Sequence, residues 1–392
     1  MKVAGIVCEY NPFHNGHARQ IEKTREAGAT HIVCAMSGNF VQRGEAAFID
    51  KWKRAEITIN CGADLVVDLP VPWSCDSAEN FAVGAVSMLD AMNINMLSFG
   101  SETTDVRLLI ECANSIDNDQ VGKLIKSKMS AGLTYPGAFC KSVEELYGSD
   151  VAEVLSLPNS TLAIEYIRAL KKVKSQAEIY AVERNAAHDS FISEGIFISA
   201  AALRNMTDFS MAKQYMPKYA FEKVFESIAK GENTMCGEKT QQMILFALRS
   251  MSLEQMQAMV SNNSGIAQRI YNAVKTSCSL DDLFETAKTK SITMAKLRRT
   301  VTRLFLGISD DVSQKAPPYI KVLAANKKGF EIMANAKGNI PVVTKHSEIL
   351  KLDEFSKQVY DIQCRSTDLY MLMQKKIRAC SLEQTSPVII IK

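Results

Sequence analysis

The run Val3-Ala-Gly-Ile-Val-Cys8 is apolar throughout, and a mixed polar and apolar stretch from Gly16 to Ala27 with helical spacing follows it. The alternation continues. His31–Met36 reads as a second strand, Asp50–Cys61 as a helix, Ala63–Leu69 as a strand, Ala78–Met92 as a helix and Asn95–Gly100 as a further strand. Strands alternating with helices predict a parallel sheet covered on both faces, the doubly wound α/β architecture. In such sheets a ligand lies beyond the carboxyl ends of the strands, where the strand order reverses. The loop after Cys8 and the segment Ser98-Phe-Gly-Ser-Glu102 both follow strands in this way, so they are expected to meet.

Residues 104–175 read as mainly helical, with breaks at Tyr135-Pro-Gly137 and at Pro158-Asn159, and Glu178–Glu183 resumes as a strand. From 206 to 312 the pattern is helical, punctuated by Gly231, Gly237 and Gly265, which read as turns. After Pro317-Pro318, strands are expected at Tyr319–Ala325, Pro341–Thr344 and Ser386–Ile391. Three regions result: 1–205 as an α/β domain, 206–315 as a helical domain, and 316–392 as a small α/β module packed on the helices.

Composition narrows the class. A chain of 392 residues suggests two or three domains, and 47% hydrophobic with 23% charged residues is ordinary for a soluble globular protein. Apolar runs fall well short of a membrane helix, and Met-Lys leads directly into a strand, so neither a membrane span nor a signal peptide is expected. The 10 cysteines are scattered without any Cys-x-x-Cys pair, which favours free thiols in a reducing cytoplasm. A net charge of +3 decides nothing globally. His31, His188 and His346 lie too far apart in sequence to suggest a metal cluster, so no protein-held metal is expected.

The chemistry concentrates in Asn11-Pro-Phe-His-Asn-Gly-His17. A strand, a Pro turn, two imidazoles and then a helix place His14 and His17 beside unpaired helix N–H groups, where a phosphate chain would sit. Gly16 allows a backbone to come close to a ligand. Where negative charge grows on phosphorus oxygens during a reaction, donors fixed there stabilise the transition state more than the ground state. Ile198-Ser-Ala-Ala-Ala-Leu-Arg204 reads as a second helix start, with Ser199 at its N-cap and Arg204 one turn further on. The polar loop Ser37–Glu45 carries Arg43, and Lys51, Lys53 and Arg54 follow within reach of phosphates or of a solvated helix face. Between Glu285 and Asp310 there is no acidic residue; Lys296, Arg299 and Arg303 share one helix face, as a phosphate-binding helix would need, with Lys288, Lys290 and Arg298 nearby.

Strand, Asn-Pro-Phe-His-x-Gly-His and helix together resemble the His-x-Gly-His nucleotidylyltransferase superfamily. The wider run Glu9-Tyr10-Asn11-Pro12-Phe13, with Met36-Ser-Gly-Asn-Phe-Val-Gln-Arg-Gly-Glu45, resembles a narrower family, the bacterial tRNA(Met) cytidine acetate ligases. The Ser199–Arg204 run resembles the superfamily's Ile-Ser-Ser-Thr-x-Ile-Arg signature, with alanines where further hydroxyls would stand. The resemblance implies a Rossmann-like catalytic domain, ATP as the nucleotide with Mg2+ arriving on its phosphates, and acetate and elongator tRNA(Met) as substrates. It implies acetyl-adenylate formation and acetyl transfer to N4 of the wobble cytidine. It assigns catalysis to His14 and His17. It assigns ATP contacts to Val7, Cys8, Glu9, Tyr10, Asn11, Pro12, Phe13, His14, Asn15, Gly16, His17, Gln20, Gly100, Asn159, Arg184, Ser199 and Arg204. Lys296, Arg299 and Arg303 are the candidate tRNA contacts. The competing reading is a small-molecule adenylyltransferase of the mononucleotide or phosphopantetheine type, against which the length beyond residue 205 and the basic run both count.

Overall fold

A computed structural model of the chain describes residues 1–157, 160–183, 195–234, 237–260, 264–289 and 292–392. Its strands are β1 (Val3–Cys8), β2 (His31–Ser37), β3 (Phe40–Val41), β4 (Glu45–Ala46), β5 (Leu65–Leu69), β6 (Met96–Ser101), β7 (Glu178–Glu183), β8 (Ile320–Ala325), β9 (Val342–Val343) and β10 (Ile389–Ile390). Eight of them form one sheet in the order β10-β8-β5-β2-β1-β6-β7, with β9 also on β8. From β1 the chain winds outward through β2 to β5, then returns to the other flank of β1 as β6 and β7. These five strands are mutually parallel. The reversal of order at β1 opens the crevice expected of this architecture, beyond the carboxyl ends of β1, β2 and β6.

Every residue of β1, β2 and β5 is buried, as strands sandwiched between helical layers must be. The hairpin β3–β4 follows β2 and was not legible as strand; two residues per strand leave no periodicity to read. Tyr135-Pro-Gly137, read as a break, is the first turn of helix Tyr135–Tyr147, where proline's missing N–H costs nothing. Gly265 likewise stands in the first turn of helix Ser264–Val274, not between helices.

The region 316–392 differs most from expectation. Its strands do not form a module packed on the helical region. β8 pairs antiparallel with β5, and β9 and β10 pair with β8, so these strands extend the main sheet. The run Ile320-Lys-Val-Leu-Ala-Ala325 is buried at every position, which requires neighbours on both faces of an existing sheet. Periodicity identifies a strand but carries no information about which sheet it joins.

Candidate active site

After β1 the chain turns through Tyr10, held at φ 47°. A non-glycine residue in that region costs about 1–2 kcal/mol. Packing offsets the cost: the Tyr10 ring is buried, edge-on to Phe13 with centroids 4.8 Å apart, and lies 4.7 Å from the His17 ring. The turn delivers His14 to the N-cap of helix Asn15–Glu26.

The two histidines cap that helix reciprocally. His14 Nδ1 accepts from the Gly16 N–H at 3.1 Å, and His17 Nδ1 accepts from the His14 N–H at 3.2 Å. The rings stack with centroids 3.7 Å apart and planes 25° from parallel. A neutral imidazole whose Nδ1 accepts a backbone N–H carries its proton on Nε2, so this network assigns both rings the tautomer with Nε2–H as donor. This alters the expected picture of unpaired helix amides. The imidazoles consume the N–H groups of His14 and Gly16 and replace them with donors one ring further out. Gly16 also has a different reason: a Cβ there would lie 2.9 Å from His14 Cε1, so glycine makes room for the folded-back ring.

Arg204 ties the second helix start to the first. Its Nη1 donates to Asn11 O at 2.7 Å, and its Nη2 lies 3.6 Å from Glu45 Oε2. Ser199 N-caps the short helix Ala200–Arg204, its Oγ accepting from Ala202 N at 3.1 Å. Asn15 Nδ2 donates to Ile196 O and Gln214 O, both at 3.0 Å, drawing the chain on either side of that helix to the same mouth. On the other flank Gln20 Nε2 donates to Ser98 O at 3.2 Å, and Gly100 follows on β6, half-buried. The loop, Gln20, Gly100, Ser199 and Arg204 are therefore brought together. Asn159 and Arg184 lie outside the described residues.

Val7 and Cys8 are buried within β1, which leaves their backbone to meet a ligand. Burial drives the Cys8 thiol well above its ordinary pKa, as it does the Tyr10 phenol, so neither is a ready nucleophile. Glu9 is half-buried and its Oε1 accepts from Gln42 N at 2.9 Å. Burial raises its carboxyl pKa despite that hydrogen bond and the positive charges of Arg204 and Arg54. Pro12 and Phe13 are buried in the turn.

Three basic residues of helix Lys51–Asn60, considered as phosphate ligands from the sequence, are engaged inside the protein. Lys51 is fully buried between Asp68, 2.5 Å away, and Glu383, 2.7 Å away. Lys53 pairs with Glu232. Arg54 is fully buried, and its hydrogen bonds all end on backbone carbonyls. Nε donates to Ile49 O at 3.0 Å, Nη1 to Glu9 O at 2.6 Å and Ser37 O at 2.9 Å, and Nη2 to Gly38 O. Arg54 thus clamps the carboxyl ends of β1 and β2, a role the sequence reading missed. The available signal was its shared helix face with Ile57, Thr58 and Cys61.

The basic helix is corrected in the same way. On helix Met294–Leu306, Arg303 is 4% exposed. It donates to Pro72 O at 2.7 Å and pairs with Asp76 and Asp310, each at 3.2 Å, so it is an internal tie and not a phosphate contact. Arg299 is half-buried, and burial lowers its pKa. Lys296 is half-buried at the surface. The helix rests on the turn Gln42–Glu45. Gly44 at φ +77° lies so close that a Cβ would come within 2.9 Å of the Arg299 backbone, and Arg298 pairs with Glu45 at 3.1 Å.

Buried polar atoms without a hydrogen-bond partner include Asn11 Nδ2, Ser37 Oγ and Ser101 Oγ. All three residues lie at or just beyond the carboxyl ends of β1, β2 and β6, around the crevice. Among the described residues, no group of three or more His, Cys, Asp and Glu side chains is placed to hold a metal ion, and no helix is long and apolar enough to cross a membrane.

A profile of the family described as HIGH Nucleotidyl Transferase matches residues 1–385. The tRNA(Met) cytidine acetate ligase of Caldanaerobacter subterraneus subsp. tengcongensis is 32% identical, over 99% of this chain and 100% of that one. That of Acetivibrio thermocellus is 31% identical over 100% of both. Crystal structures of Thermotoga maritima TmcAL superpose over 100% of both chains. The apo form gives a TM-score of 0.91 at 29% identity, and a form bound with alpha-thio ATP gives 0.90 at 28%.

Proposed function

The chain belongs to the tRNA(Met) cytidine acetate ligases of the HIGH nucleotidyl transferase family, and from that premise we propose how its residues carry out the reaction. It is an ATP-using ligase that modifies tRNA. An acetate oxygen attacks the α-phosphorus of ATP, the bond to the β-phosphate oxygen breaks, and pyrophosphate leaves with that electron pair. The N4 amine of the wobble cytidine of elongator tRNA(Met) then attacks the acetyl carbonyl, AMP departs, and N4-acetylcytidine remains. A tRNA acceptor implies a cytoplasmic setting.

The stacked His14–His17 pair carries this reading. With both Nδ1 atoms committed to backbone N–H groups, the two Nε2–H donors project the positive end of helix Asn15–Glu26 toward the phosphates. Arg204, anchored on Asn11 O, adds a fixed positive charge for the leaving pyrophosphate. Gln20, Gly100 and Ser199 line the nucleotide site, to which the family resemblance also assigns Asn159 and Arg184. Mg2+ would arrive held by the ATP phosphates and water, and would supply charge neutralisation there. Among the described residues the mouth offers it no carboxylate set, because Glu9 is engaged by Gln42 and Glu45 is shared by Arg204 and Arg298.

The test supplies purified protein with ATP, acetate and tRNA(Met) and measures acetylcytidine and pyrophosphate together. Both should form only with acetate present, and His17→Ala should lose acetate-dependent pyrophosphate release. Near-native release by His17→Ala would overturn the assignment. Consumption of a mononucleotide in place of acetate would favour a small-molecule adenylyltransferase.

A further inference from the structure

We propose that the acid substrate is seated on the crest between β1 and β2, its carboxylate held by Asn11 Nδ2 and Ser37 Oγ. This rests on the acetate-activating function and adds the acid site, which the family motifs leave unassigned. Asn11 is 3% exposed. Its Oδ1 accepts from Phe48 N at 2.6 Å, which fixes the amide plane and identifies the other atom as the NH2 donor. That donor is buried and has no partner. Ser37 closes β2 with no exposed surface, and its hydroxyl is likewise buried and unpaired. Buried donors are normally satisfied, so two of them at the head of a ligand crevice call for an acceptor.

The two residues belong to one frame. Arg54 Nη1 bonds both Glu9 O and Ser37 O, and Arg54 Nε bonds Ile49 O, adjacent in sequence to the Phe48 that orients Asn11. The same guanidinium makes the crest attractive to an anion. Its hydrogen bonds all end on carbonyls, and the carboxylates that act on it, Asp50 and Asp68, do so only through space. Buried aromatic residues in the flanking segments, Tyr10, Phe13 and Phe40, suit a short apolar tail and not a second polar group. The chemical class is therefore a small unbranched carboxylate. The phosphate side adjoins it, since Arg204 binds the backbone oxygen of the same Asn11.

The experiment measures pyrophosphate–ATP exchange against acetate concentration for the native protein, Ser37→Ala and Asn11→Asp, with ATP affinity measured separately without acetate. Ser37→Ala should raise the KM for acetate about tenfold, the loss expected for a hydrogen bond to a charged group, while its Kd for ATP stays within about twofold. Asn11→Asp keeps the acceptor for Phe48 N but turns the facing donor into a carboxylate oxygen, so it should raise the KM further. If Asn11→Asp does not fold, Ser37→Ala carries the test. Native KM for acetate in every folded variant, or ATP affinity lost in proportion by Ser37→Ala, overturns the proposal. Absence of acetate-dependent exchange in the native protein would instead overturn the functional reading itself.

Discussion

His17→Asn separates two duties of one side chain. An asparagine oxygen can still accept from the His14 N–H, so the helix cap is kept, but nothing replaces the Nε2–H donor. Stability should stay within about 1 kcal/mol by thermal melt, while acetate-dependent pyrophosphate release should fall about 100-fold or more, the usual cost of one transition-state donor. Equal losses of stability and activity would mean that His17 only caps. Gly16→Ala should act through the neighbouring ring. Its methyl would displace His14, and turnover should fall with little change in melting temperature. These residues were legible in the sequence because their chemistry is local: spacing fixes a cap, a turn and a pair of rings. Lys51 and Arg54 were not. A cation on a helix reads as a solvent or phosphate ligand until packing shows which face is internal, and Arg54 finds its partners on strand ends before it and Lys51 on residues far along the chain. Arg54→Lys replaces a fork bonded to several carbonyls with one ammonium group, and should destabilise the protein by about 2–4 kcal/mol in denaturant titration.

At the scale of elements, helix Met294–Leu306 joins the basic run to the turn Gln42–Glu45 beside the candidate site. Thr302 Oγ1 donates to Gly44 O at 2.7 Å, and Glu45 is shared between Arg298 of this helix and Arg204 of the site. The sequence showed a basic stripe and an apolar back but not that the helix is packed on more than one side, so Arg303 was placed with Lys296. The two should now behave differently. Lys296→Ala should weaken tRNA binding and reduce the slope of log K against log salt by about one, leaving the melting temperature unchanged. Arg303→Met strands the partly buried Asp76 and Asp310 and should cost about 3 kcal/mol of stability without altering that slope. The reverse pattern would restore Arg303 as a phosphate contact.

Across the whole molecule, a buried charge network fastens the C-terminal segment to the catalytic sheet. Lys51 and Lys321 flank Glu383, Thr367 Oγ1 donates to Glu383 at 2.7 Å, and Gln363 donates to Asp68 at 2.6 Å. A chain ending at residue 315 would expose an edge of β5 and leave Lys51 without Glu383, so it should fail to give a soluble, cooperatively melting protein. Burial alone would raise the Glu383 carboxyl, but the Lys51 and Lys321 ammonium groups outweigh it and hold the pKa at about 2, below its ordinary 4.5. A depressed carboxyl contributes stability above its ordinary pKa and loses it as pH falls through the folded value. Stability should therefore drop as pH falls from about 4.5 toward about 2, and Glu383→Gln should flatten that drop. Asp68 has the opposite sign, since burial raises it more than Lys51 lowers it; Glu383 raises it as well, so Glu383→Gln also relieves part of that shift. The fold class was legible because alternation repeats over many residues; the joining of β8 to β5 was not, because it depends on a pairing between distant segments. All of this structure serves one claim, that the mouth at β1 activates an acid through ATP. Incorporation of labelled pyrophosphate into ATP by the native protein, with and without acetate, tests it most directly. The account predicts exchange that requires acetate and disappears in His17→Asn; exchange indifferent to acetate, or none with acetate and tRNA(Met) both present, would contradict it.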